Sequence, residues 1–221
     1  MCRLLTTIIL SSIILQGITM TVSAQDSASS VNATPMYKGT ETLAYEVVNT
    51  LDANIEIRTY PQAVKVSANA NGENNAFGQL FKYISGANSV NTDIAMTSPV
   101  EMSASSTKIA MTTPVEMTMN NNKMQMSFFL PAMYDYESAP RPTNPGVKLT
   151  NVPSKTVGVI RFSGLRSEDK VAEKTAQLRD RLIQANYQII SEPVVMGYDA
   201  PWTLWFKRRN EVMFEVIPAA S

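Results

Sequence analysis

The chain has 221 residues, 44% hydrophobic and 17% charged, which is the make-up of an ordinary folded domain and excludes a disordered, collagen-like or polytopic membrane chain. Lys+Arg and Asp+Glu both number 19, so there is no basic footprint for nucleic acid. Histidine is absent and the single cysteine is Cys2; beyond the N-terminus there is no imidazole base, no thiol nucleophile and no disulfide.

Residues 1–24 read as an export signal, with Arg3 as the positive end, residues 4–18 as the apolar stretch and Val22-Ser23-Ala24 as the cleavage site before Gln25. Cys2 lies ahead of the apolar stretch, the wrong side for a lipid-anchoring cysteine. An uncleaved anchor is the alternative, against which Thr6, Thr7, Ser11, Ser12 and Gln16 speak. Cleavage predicts a periplasmic or secreted chain with no membrane attachment. Residues 25–40, rich in Ser, Ala, Asn and Thr, read as a flexible tether, and residues 41–218 as one domain.

Within the domain, apolar and polar residues alternate at 43–48, at 55–58 and, after Pro61, at 64–66, predicting strands buried on one face. Phe77, Leu80, Phe81 and Ile84 form one apolar stripe at helical spacing, and Gly86 suits the position just past that helix. Residues 109–119 predict a strand, which 120–123 turn back into a second strand at 124–130. That register sets Met117 opposite Met126 and Met119 opposite Met124. After the Pro-rich connector at 139–146 the order returns: a strand at 147–150, Pro153, a strand at 156–162, a helix at 167–185, then strands at 193–198 and 203–217. Pro61 and Pro153 each stand between two strand patterns and ahead of a helix. The reading is α+β: an internally duplicated, distorted antiparallel sheet, barrel-like, with two flanking helices, approximate twofold symmetry and a ligand cleft between the halves.

A shorter duplication is plainer. Ile94-Ala95-Met96-Thr97-Ser98-Pro99-Val100-Glu101-Met102 recurs as Ile109-Ala110-Met111-Thr112-Thr113-Pro114-Val115-Glu116-Met117. With it come Ile55-Glu56-Ile57-Arg58-Thr59-Tyr60-Pro61, Lys82-Tyr83-Ile84-Ser85-Gly86, Phe128-Phe129-Leu130-Pro131, Gly197-Tyr198-Asp199-Ala200-Pro201-Trp202 and Arg208-Arg209-Asn210-Glu211-Val212. In these words, spread from about 43 to 217, the chain resembles the SOUL haem-binding protein family, itself related to bacterial effector-binding modules. The resemblance implies a reversible haem or other tetrapyrrole ligand. It also implies a pocket between the first helix, with Phe77, Phe81 and Lys82, and the later loop, with Tyr198, Pro201, Trp202, Leu204 and Trp205. Where the family places a propionate-pairing base, this chain has Thr203, and Lys207 or Arg208 would have to substitute. Iron ligation through histidine is impossible here, leaving burial, charge pairing or a weak Met or Tyr ligand.

The residues also admit blander readings. Phe77, Phe81, Trp202 and Trp205 can be core, Lys82 and Lys207 solvated, and Arg208 or Arg209 a partner for Glu211. Three other functions stay open: a carrier of other small apolar ligands, a Cu(I) site of clustered methionines, and a tetrapyrrole-processing enzyme using Glu101, Glu116 or Asp199. No catalytic or metal-binding residue is assigned.

Overall fold

The computed structural model describes residues 35–89, 106–120, 123–200 and 202–219. The export signal, most of the tether, the first copy of the repeated motif with Glu101, and Pro201 lie outside the described residues. In chain order the elements are β1 (Met36–Tyr37), β2 (Thr40–Glu41), β3 (Glu46–Asp52), β4 (Ile55–Tyr60), β5 (Ala63–Ala70), α1 (Glu73–Ile84) and β6 (Asn88–Ser89). Then follow β7 (Val115–Asn120), β8 (Lys123–Phe129), β9 (Arg141–Pro142), β10 (Val147–Val152), β11 (Lys155–Ser163), α2 (Glu168–Gln184), β12 (Tyr187–Ile189), β13 (Val194–Gly197) and β14 (Arg209–Pro218).

The main sheet runs β10-β5-β8-β7-β13-β14-β11-β4-β3, with β12 paired to the far end of β14. Apart from β3 at one end, this order is a palindrome about the β7/β13 contact: β10, β5, β8 and β7 correspond to β4, β11, β14 and β13. Each half therefore borrows one strand from the other. Only Pro61 and Gln62 separate β4 from β5, yet β4 pairs with β11 and β5 with β10. Pro153 and Ser154 make the same crossing between β10 and β11. Proline has no N–H for the ladder and a fixed φ, so the pairing stops there and the chain passes to the other half. The sheet curls without closing, since β10 and β3 remain its two ends.

Both surfaces of the curled sheet are covered. Ala76, Leu80, Tyr83 and Ile84 of α1 pack on Val64, Val66 and Ala68 of β5 and on Met126 and Phe128 of β8. Leu178 and Leu182 of α2 pack on Ile55, Ile57, Ile160, Val212 and Phe214. The alternate residues, among them Tyr60, Val157, Val159, Met196 and Met213, form a third cluster between the halves. Residues 35–45 lie across this inner cluster, placing Tyr37, Leu43 and Tyr45 against it. Ordered pairing thus begins at Met36, inside the segment read as a tether.

The helices follow the sequence reading closely. Ser167 accepts the Lys170 N–H at the start of α2, and Gly86, at φ 118°, ends the first helix with the Ala87 N–H donating back to the Lys82 carbonyl. Met117 lies opposite Met126 and Met119 opposite Met124, as the hairpin register requires. Two strands are shorter than expected. Residues 109–114 are not strand: Thr113 makes only an isolated parallel bridge to Thr42, and the ladder begins at Val115. Residues 203–208 are not strand either: the Lys207 N–H closes a 3-10 turn on the Leu204 carbonyl, and pairing begins at Arg209.

Gly158 lets α2 approach β11, since a Cβ there would lie 2.4 Å from Leu182 Cδ2. Gly158→Ala is expected to lose roughly 1–3 kcal/mol by overpacking. Gly78→Ala, in α1 with open space around the new methyl group, should gain about 0.5–1 kcal/mol. Urea denaturation of the two variants checks the opposite signs.

Candidate functional site

A buried carboxylate organises the end of the inner surface from which the loop 198–208 leaves. Glu211, 1% exposed, accepts from Arg58 Nη1 at 3.0 Å and from the Tyr198 hydroxyl at 2.8 Å through Oε2. Its Oε1 accepts from Arg209 Nε at 3.0 Å and Nη2 at 2.6 Å. The guanidinium of Arg58 stacks 4.1 Å from the Tyr45 ring centroid and that of Arg209 4.0 Å from Tyr198. Burial, reinforced by the Glu211 charge, pushes the Tyr60 hydroxyl up to about 12 and Tyr198 well above its ordinary value, so both hydroxyls stay neutral, Tyr60 accepting from Arg58 and Tyr198 donating to Glu211. The expected Arg209–Glu211 pairing is present; Arg58, its second partner, is 153 residues away in sequence.

Next to this cluster the loop is braced at its base. Asp199 accepts the Arg209 backbone N–H at 2.7 Å, the Tyr37 hydroxyl at 3.0 Å and Lys38 Nζ at 2.6 Å. Lys38 Nζ also donates to the Lys207 carbonyl at 3.2 Å, and Arg208 Nε to the Thr203 carbonyl at 2.7 Å. Held in this way, the loop turns its apolar side chains outward. Trp202 is 87% exposed and Trp205 57%, with Leu204 and Phe206 also exposed and Lys207 beside them. The two tryptophans are therefore not core, and because the segment turns here, strand alternation does not send them to opposite faces.

The helix residues divide. Phe77 is half-buried, edge-on to Phe128 and stacked on Phe81, which is 50% exposed. Lys82 opens instead onto an amide-lined cleft of about 490 Å³ with Asn69, Asn71, Asn74, Asn75 and Gln79, apart from both phenylalanines. Tyr198, 5% exposed, is turned inward on Glu211. Pro201 lies outside the described residues; of the other residues expected at the pocket, Trp202, Leu204, Trp205 and Lys207 share one exposed loop, Phe77 and Phe81 share one helix surface, and Lys82 and Tyr198 face elsewhere. Among the described residues no ring contact joins the two aromatic groups.

One residue that sequence reasoning missed has contacts at both the start of α1 and the end of β13. Arg166, in the turn from β11 to α2, has Nη2 3.6 Å from Glu73 Oε1 at the first turn of α1. Its Nη1 lies 2.2 Å from where a Cβ on Gly197 would be, at the end of β13, directly before Tyr198. Nothing local in the sequence marks Arg166; only the glycine at 197, which leaves room for the guanidinium, was in a quoted motif.

The other candidates are engaged. Met117 and Met126 are buried in the core under α1. Glu116 is buried with Lys65 Nζ 2.7 Å from Oε1. No group of three or more His, Cys, Asp or Glu able to hold a metal ion occurs among the described residues.

This architecture, two strand-exchanged halves with one helix each and an exposed aromatic loop between β13 and β14, defines a duplicated α+β ligand-binding class of domain. A family model described as SOUL heme-binding protein matches residues 40–215, and the chain belongs to that family. No curated protein sequence matches it significantly. Among solved structures, an uncharacterized conserved protein from Listeria innocua superposes with a TM-score of 0.50 at 12% identity, covering 74% of this chain and 92% of that one. A hydrolase from Listeria innocua gives 0.49 at 10% identity, with coverage of 74% and 92%. The C-terminal domain of EcmrR gives 0.48 at 12%, with coverage of 80% and 100%. At 12% identity the first of these likenesses is one of fold alone.

Two substitutions probe the cluster. Glu211→Ala strands two arginines without their counter-charge and is expected to cost about 3–5 kcal/mol in chemical denaturation. Burial opposes the charge of Asp199, but the Arg209 N–H, Lys38 and Tyr37 outweigh it and hold its pKa below the ordinary value. Its stabilisation is therefore present at neutral pH and lost as pH falls below the unfolded value of about 4, through the lower folded value. Asp199→Asn should lower the melting temperature at neutral pH and flatten its fall with acidification over that window.

Proposed function

We propose that the chain is an exported carrier of haem or another tetrapyrrole, held reversibly on the aromatic surface of loop 202–207 and the Phe77–Phe81 face of α1. The observation that carries this is the exposure of Trp202, Leu204, Trp205, Phe206 and Phe81 on backbone that is otherwise well braced. Family membership supports the pigment class, and the signal-like residues 1–24 support export.

The donor set suits the ring and not the metal. Indole and phenyl faces take up a flat apolar macrocycle, and Lys207 can pair with its carboxylates, but the absence of His and of any Cys beyond Cys2 leaves iron without a strong ligand. When bound, the pigment supplies an extended π system and, as haem, a redox-active iron; the chain supplies burial, orientation and charge pairing. A porphyrin that buries on the order of 400–500 Å² of apolar surface gains roughly 10–12 kcal/mol at ~25 cal/mol/Å². Association costs of ~4 kcal/mol or more then leave an affinity of about micromolar at best, the range of a carrier that hands its cargo on.

Titration of residues 25–221 with protoporphyrin IX and hemin, followed by tryptophan quenching and absorbance, tests the reading. The two should bind within about tenfold of one another, since a weak axial ligand adds little more than ~1.4 kcal/mol. Trp202→Ala, Trp205→Ala and Phe81→Ala should each weaken binding by about 1–2 kcal/mol without moving the melting temperature, all three side chains being exposed. Parent-like binding in all three would remove the loop and helix from the site.

A further inference from the structure

We infer that Arg166 is the anion-binding residue of this site, and that the ligand it takes carries a carboxylate on the edge of a flat apolar body. The inference rests on the tetrapyrrole reading and names the group that orients the ligand, which neither Lys82 nor Lys207 was placed to do alone.

Arg166 is a basic side chain with contacts both at the start of α1 and at the end of β13, the strand that leads into the aromatic loop. On one side its partner is Glu73, the first residue of α1 and one helical turn ahead of Phe77, which is in turn one turn ahead of Phe81. On the other side its guanidinium lies against Gly197, one residue before the segment that leads to Trp202, with the Met117 methyl also beside that glycine. A ring laid along α1 over Phe77 and Phe81 would have its leading edge toward Glu73 and its partner Arg166.

The guanidinium is also underused. Its side chain is only 28% exposed, and among the described residues it makes no hydrogen bond; the Glu73 contact, at 3.6 Å, is an ion pair too long to be one. A planar fork of five N–H donors, largely withdrawn from water with a single distant counter-ion, is arranged to take a carboxylate in two parallel hydrogen bonds. Glu73, 51% exposed at the end of a flexible side chain, can give way to it. Gly197 is what makes room: an alanine there would put its methyl group on Nη1, and the guanidinium would have to move aside.

The test compares protoporphyrin IX with its dimethyl ester, which keeps the ring and removes both charges. The parent chain is expected to bind the acid about tenfold tighter than the ester. Arg166→Gln should remove most of that preference while leaving ester binding unchanged, Lys207 accounting for what remains. Gly197→Ala, which keeps the arginine and displaces it, should do the same, and Arg166→Lys should retain more of it. Glu73→Gln should leave acid binding equal or tighter, because a competing carboxylate is removed. Equal binding of acid and ester by the parent, an undiminished preference in Arg166→Gln and Gly197→Ala, or a loss in Glu73→Gln matching that in Arg166→Gln overturns the role of Arg166 while the aromatic site stands. Failure of the parent to bind either porphyrin overturns the tetrapyrrole reading and this inference with it.

Discussion

The Glu211 carboxylate on β14 reaches across the intervening β11 to β4, a strand with which β14 shares no ladder. Its four hydrogen bonds reach Arg58 on β4, Arg209 on β14 and Tyr198 at the end of β13. Two guanidinium groups and one carboxylate buried together are costly to desolvate, and they are tolerable because nearly every donor and acceptor around them is used. The price is repaid in geometry. With Arg58 and Arg209 fixed, the rings of Tyr45, Tyr37 and Tyr198 have cations to lie against, and residues 35–45 are drawn over the inner surface. Asp199 carries the same logic outward, using the Arg209 backbone and Lys38 to pin the base of the exposed loop.

Strand exchange decides where a ligand surface can form. The crossings at Pro61 and Pro153 bind each half to the other, and both outer faces of the sheet are consumed by α1 and α2. The inner face is consumed by Tyr60, Phe129, Met196 and the overlying residues 35–45. The cleft between halves that a duplicated sheet suggests is thus filled by the chain itself. Large apolar surface remains instead at Phe81 and at the loop between β13 and β14. The turn carrying Arg166 makes contacts at the start of α1 and at the end of β13, the strand that leads into that loop.

Much of this was legible locally. The Phe77 to Ile84 stripe with Gly86 behind it determined α1, Ser167 marked the start of α2, and the methionine alternation determined the β7–β8 register. The paired prolines and the returning order of elements determined the duplication. Each of these is a short-range property: periodicity decides which face of an element is apolar, and a missing N–H or a left-handed φ acts where it stands. Tertiary structure alone decided the rest. Residues 203–208 carry a strand-like pattern, but the contacts of Lys38 and Asp199 hold them as a turn, which turns both tryptophans outward. The sequence words placed Lys82 and Tyr198 at a pocket, whereas packing sends one to an amide-lined cleft and the other onto Glu211. Arg166 bears no local mark at all. Its position depends on Glu73 and Gly197, both far away along the chain, and a contact made by folding leaves no period in the sequence from which to read it.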